Sequence, residues 1–101
     1  MQFLIGSGYG DFNTAGWQLH TGTGPRHYDI PVVFQSPFPA PPSVQVNLAE
    51  IDADAAPNLR VQVKAVNITN TGFTIQVNTW ADTKLYATNA NWFAFMPCCG
   101  C

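Results

Sequence analysis

Charge is scarce in this 101-residue chain. Asp, Glu, Lys and Arg make up 10% of it, against about 25% in an ordinary globular domain. The four basic residues, Arg26, Arg60, Lys64 and Lys84, form no run, and the formal net charge is −2. That excludes an electrostatic grip on nucleic-acid phosphates. Long apolar stretches are missing too: nothing approaches the ~20 residues of a membrane-spanning helix, so no membrane insertion is expected. The start, MQFLIGSGYG, has no basic n-region, and Phe3-Leu4-Ile5 is too short for the apolar region of a signal peptide. The expected location is the cytoplasm, or the outside by a non-classical route. Cysteine is absent until the last four residues, where Cys98, Cys99 and Cys101 crowd together. The body of the domain therefore offers no thiol for an internal disulfide. CCGC is also too tight for a CxxC metal knuckle and has no His nearby, which leaves a free tail or interchain disulfides.

Catalytic constellations are equally sparse. There is no GxSxG and no Ser or Cys beside a His. His20 and His27 have no His or Cys partner at metal-ligand spacing. Asp52 and Asp54 sit in EIDADAAPN, where turn chemistry explains them and polar support for a catalytic carboxylate pair is lacking. GSGYG superficially resembles a phosphate-cradling loop, but no helix follows it, and its glycines read as turn glycines. Asn67-Ile68-Thr69 is a formal glycosylation sequon at a hairpin turn, where Asn and Thr are expected anyway. Neither enzyme chemistry nor a metal or cofactor is expected.

What the chain has is β pattern. It is 47% hydrophobic, enough for one core, and its length fits one domain. Val, Ile, Thr and aromatics recur in short runs broken by Gly, Pro, Asn and Asp, with no sustained helical period. Gln2 to Ile5 reads as a first strand, and a second piece lies around Gly16 to His20. Arg26 to Gln35 follows, with Pro31 implying an edge or a bulge. SPFPAPP, with four prolines, can only be a crossing connection. Val44, Val46 and Leu48 alternate inward. Leu59, Val61, Val63 and Ala65 share one face of the next strand, and Phe73, Ile75 and Val77 one face of its hairpin partner across NITNTG. Lys84 to Met96 is the last strand. The expected fold is all-β, a six-stranded antiparallel β-sandwich, with residues 1–97 as the domain and 98–101 as a Cys-rich tail.

The same alternation puts Thr79 inward and Trp80 outward, beside the small polar turn Ala81-Asp82-Thr83. An outward Trp at a strand end tends to mark a contact surface. The hairpin register places Arg60 near it, on the outward side of the neighbouring strand. A ring for sugar C–H groups and a guanidinium for hydroxyls suit a saccharide. Packing of Trp80 under a loop or against another subunit is the bland alternative.

At this point the residues resemble the H-type lectins, the family of the snail N-acetylgalactosamine-binding agglutinins and the C-terminal lectin domain of discoidins. The matching stretches are AGW (15–17), FQSPF with PP (34–42), ID (51–52), NLRV (58–61), TGF (71–73) and TWADTKLY (79–86). The resemblance implies a sandwich that assembles as a trimer, or a hexamer of two trimers. It implies galactose or N-acetylgalactosamine on glycans as the partner, bound between subunits. It carries the sugar-binding roles onto Arg60, Trp80 and Tyr86, and onto the loop of Gly22, Thr23 and Gly24. The family's loop Asp is missing from HTGTGP, and Ala81 stands where the snail lectins have a His. The snail domain's disulfide is absent as well, since Asp11 and Val77 occupy its places. The missing loop Asp and the Ala81 position motivate an alternative: a trimeric assembly module with a degenerate sugar site, stapled through CCGC.

Overall fold

Alternating apolar and polar residues give six strands: β1 (Gln2–Asp11), β2 (Arg26–Val33), β3 (Ser43–Ala53), β4 (Val61–Val66), β5 (Gly72–Thr79) and β6 (Leu85–Met96). They form two three-stranded antiparallel sheets, in the orders β1-β6-β3 and β2-β5-β4. The computed structural model describes residues 2–96; Cys98, Cys99 and Cys101 lie outside them. Every connection except the β4–β5 hairpin crosses from one sheet to the other. The crossings close the ends of the sandwich and carry core side chains with them. Trp17 and Leu19 come from the β1–β2 connection, and Phe34 and Phe38 from the proline-rich crossing; all four are buried. They join Phe73, Ile75 and Val77 of β5 with Leu85, Ala90 and Ala94 of β6.

The all-β, six-stranded sandwich is as expected. Pro31 sits on β2, an edge strand, where a missing N–H is tolerated. The β4–β5 turn is tied by Thr69, whose N–H donates to the Gly72 carbonyl at 2.8 Å, with Asn67 left-handed at φ 54°.

Four local expectations are corrected. The first strand does not stop at Ile5. It runs through GSGYG to Asp11, because Gly6, Gly8 and Gly10 alternate onto its inner face as space for neighbouring side chains. A Cβ at Gly6 would stand 2.6 Å from the Trp92 ring, and one at Gly8 2.8 Å from Ile75 Cδ1. The piece around Gly16 to His20 is turn and irregular chain rather than strand; Trp17 Nε1 donates to the Leu85 carbonyl at 3.0 Å and holds it in place. Leu59 lies before β4 and is 58% exposed, so it does not share the face of Val61, Val63 and Ala65. Asp52, read as part of a turn, lies inside β3.

Candidate functional site

The crossing from β5 to β6, residues 80–84, forms one corner of the sandwich. Val61 pairs with Thr79, so Arg60 and Trp80 flank the last pair of the β4–β5 ladder and lie side by side. Thr79, buried, donates from Oγ1 to the Arg60 carbonyl at 2.6 Å. The Arg60 N–H donates to Thr83 Oγ1 at 3.0 Å, and that hydroxyl donates to the Asn58 carbonyl. Two buried threonines thus lock the backbone beneath Arg60. Its guanidinium reaches Asp82 Oδ1 at 3.6 Å, a partly exposed pair that orients the side chain more than it stabilises the fold. Trp80 is 41% exposed and lies at the rim of a groove on the outer face of its sheet.

The loop Gly22-Thr23-Gly24 packs onto the same corner. Gly22 and Gly24 both have positive φ, 73° and 79°, conformations that favour glycine. The Gly24 N–H donates to the Ala81 carbonyl at 2.8 Å, and Lys84 Nζ donates to the Gly22 carbonyl at 2.8 Å. Arg26 completes the clasp. It donates to the carbonyls of Gly24 (2.9 Å), Thr21 (2.9 Å) and Ala81 (3.0 Å), with a longer contact to Leu19. Ala81 is itself left-handed at φ 58°, and the two donors on its carbonyl hold it there. Arg26 and Asp82 were not foreseen as supports of the site; neither has a local signal, because their partners are distant backbone or turn atoms.

Tyr86 belongs to the other sheet. Along β6 the pairing with β3 steps from Asp52↔Ala87 to Ala53↔Leu85, so Tyr86 is the extra residue of a bulge, a device that re-aims a side chain. Its ring meets Phe12 edge-on and His20 at a tilt, each 6.0 Å between centroids, and Phe12 and His20 are 6.0 Å apart as well. The turn that presents Phe12 is built on Asp11, which accepts from the Asn13 N–H at 2.9 Å and the Thr14 hydroxyl at 3.1 Å. Burial pushes the Asp11 carboxyl up, but the bonds from Asn13, Tyr9 and Thr14 outweigh it and hold the group below its ordinary value. The structure therefore gathers Arg60, Trp80 and the Gly22–Gly24 loop at one corner, with Tyr86 at the start of the strand that leaves it, seated in its own aromatic cluster. Phe12 and His20 were not foreseen as its neighbours; the bulge that brings them together leaves no mark in the apolar alternation.

Comparison with known proteins places this corner in context. Residues 29–95 match the family described as the H-type lectin domain. Over 86 residues the chain is 42% identical to a Fuscovulum blasticum protein named ATP synthase subunits region ORF 7, covering 85% of this chain and 74% of that one. Over 77 residues it is 39% identical to a Discoidin-1 polypeptide of Dictyostelium discoideum, covering 75% of this chain and 30% of the relative. The structure of recombinant discoidin II from the same organism superposes with a TM-score of 0.76 at 26% identity, covering 91% of this chain and 36% of that one. The chain thus spans about a third of the length of the discoidins it matches.

Proposed function

The chain belongs to the H-type lectin family, a family of carbohydrate-binding domains, and we propose that it recognises terminal galactose or N-acetylgalactosamine on glycans. Its sites are completed between subunits of a homotrimer, or of a hexamer of two trimers, and act by multivalent binding without bond-making chemistry. The observation that carries this reading is the corner itself: Trp80, 41% exposed, stands beside an Arg60 whose backbone two buried threonines fix. An exposed indole face suits the C–H side of a pyranose, and the guanidinium supplies planar donors for its hydroxyls. Arg60 and Trp80 lie at the end of one sheet and Tyr86 in the other; in this reading a neighbouring protomer supplies the remaining wall.

A half-open site of this kind binds a single sugar weakly. Affinity near millimolar corresponds to only about −4 kcal/mol. Three or six such sites on one body raise binding to a glycan-covered surface by ~10²–10⁴. A glycan array is the test. The native protein should light up features ending in galactose-type sugars. Trp80→Ala should go dark while sedimentation shows the same oligomer as the parent. A blank array from folded, oligomeric native protein would end this reading.

A further inference from the structure

Trp80 stands at the head of two polar rows on the outer face of the β2-β5-β4 sheet. Asn78 of the central strand pairs with His27 on one side and Gln62 on the other; Gln76 pairs with Asp29 and Lys64 in the same way. The rows are about 7 Å apart along the strand. A groove of about 320 Å³ opens at the first row, lined by Trp80, Arg26, His27, Gln62 and Asn78 among others.

Most of the charges in and beside this groove are already engaged. Arg26 gives its donors to backbone carbonyls of the loop and of Ala81. His27 Nδ1 lies 3.0 Å from Asp29 Oδ1. Lys64 adds a single cation at the edge of the second row. What is offered to a ligand is mostly neutral amide. Asn78 Nδ2 donates to Gln76 Oε1 at 3.2 Å, which aligns two amides along β5 and leaves Asn78 Oδ1 and a second N–H for a ligand; Gln62 is exposed beside them. Amides match hydroxyls, which both donate and accept, better than they match anions.

We propose that this groove is a second saccharide subsite, which takes the inner units of a linear, uncharged oligosaccharide as they leave Trp80 and pass along β5. The proposal rests on the terminal-sugar reading above and names the larger ligand of that site. Isothermal titration of the full chain with methyl galactoside, and with a linear neutral tetrasaccharide ending in the same galactoside, tests it. The tetrasaccharide should bind about tenfold more tightly, the equivalent of one or two added hydrogen bonds. Gln62→Ala and Gln76→Ala, made separately, should each remove most of that advantage while methyl galactoside binds within about twofold of the parent. Two exposed or half-exposed positions keep the result readable should one variant fold poorly. Equal affinity of the native protein for both ligands overturns the subsite and leaves the terminal-sugar reading standing. Parallel loss of both ligands in a folded variant overturns it as well, since the groove would then be part of the terminal site. Failure of the native protein to bind either ligand, or the same pair ending in N-acetylgalactosamine, overturns both readings.

Discussion

Arg26 carries its charge for the sake of the backbone. Its guanidinium bridges the Gly22–Gly24 loop to Ala81, and so couples the loop to the turn that follows Trp80. Hydrogen bonds from a charged donor contribute about 1.5–3 kcal/mol each at most, and at a half-buried site the sum is well below full additivity. Arg26→Ala should therefore lower stability by roughly 2 kcal/mol and weaken sugar binding through the displaced loop, with thermal melts and galactoside titration as the two readouts. Arg26→Lys should rescue little, because one ammonium cannot span carbonyls that a planar fork reaches together. Ala81 gives the complementary case. Its left-handed backbone costs about 1–2 kcal/mol for a residue with a Cβ, against a loss of up to about 1 kcal/mol from the freer unfolded chain that glycine brings. Ala81→Gly should raise the urea midpoint by the equivalent of about 0.5 kcal/mol with the m-value unchanged; a lower midpoint would mean that the turn is not strained. At this scale the nearness of Arg60 to Trp80 was legible, because the hairpin register brings together the two residues that flank its last pair. Arg26 was not: an arginine at the head of a strand looks the same whether its partners are water or distant carbonyls.

β1 shows how an element escapes sequence reading. Gly6, Gly8 and Gly10 look like breakers when only local propensity is weighed, since glycine weakens a strand interior. The reason for them lies across the sandwich. Trp92 of β6, paired with both Gly6 and Val46, needs the room a side chain at Gly6 would fill, and Ile75 of β5 needs that at Gly8. Large residues on β5 meet small ones on β1 and β6, where Ala90 and Ala94 complete the inner face. Gly6→Ala should cost about 1–3 kcal/mol by overpacking, read as a fall in the denaturant midpoint. Gly72→Ala should cost more, because its Cβ would fall on the backbone carbonyl oxygen of Val32, which cannot swing aside as a side chain can. If Gly6→Ala were neutral, Trp92 would have another place to go, and β1 would owe its continuity to something other than this fit. By contrast β4, β5 and the first half of β3 were legible almost residue by residue, because each pairs one polar with one apolar face; past Leu48 a register break in β3 hides its continuation through Asp52. Leu59 departs from that pattern only because β4 begins after it, where a cross-over rather than a strand decides exposure.

Among the described residues, a conspicuously apolar surface covers the outer side of the β1-β6-β3 sheet. Phe3 and Ile5 are 55% and 70% exposed; Phe3 stacks on Phe93 at 5.7 Å, and Phe93 meets Phe95 at 5.3 Å. A chain with only ten charged residues, four basic and six acidic, has little to offset such a patch in water, and patches of this kind mark contact surfaces. The trimer proposed above would bury this sheet face between subunits and complete the ligand site at the Trp80 corner. The β1 side of this surface is legible in the sequence only as a short apolar run, since nothing in Phe3-Leu4-Ile5 tells a core strand from one that buries its outer face against a partner. Ile5→Lys separates the alternatives. The side chain is mostly exposed in its own protomer, so the domain should keep its fold by circular dichroism while light scattering shows a monomer. With the shared wall gone, titration with free galactoside should weaken along with glycan-surface binding. If only the surface signal fell, by the ~10²–10⁴ that avidity supplies, each protomer would own a whole site and the shared pocket would be wrong. An Ile5→Lys protein that still assembles would instead move the contact between protomers off this sheet.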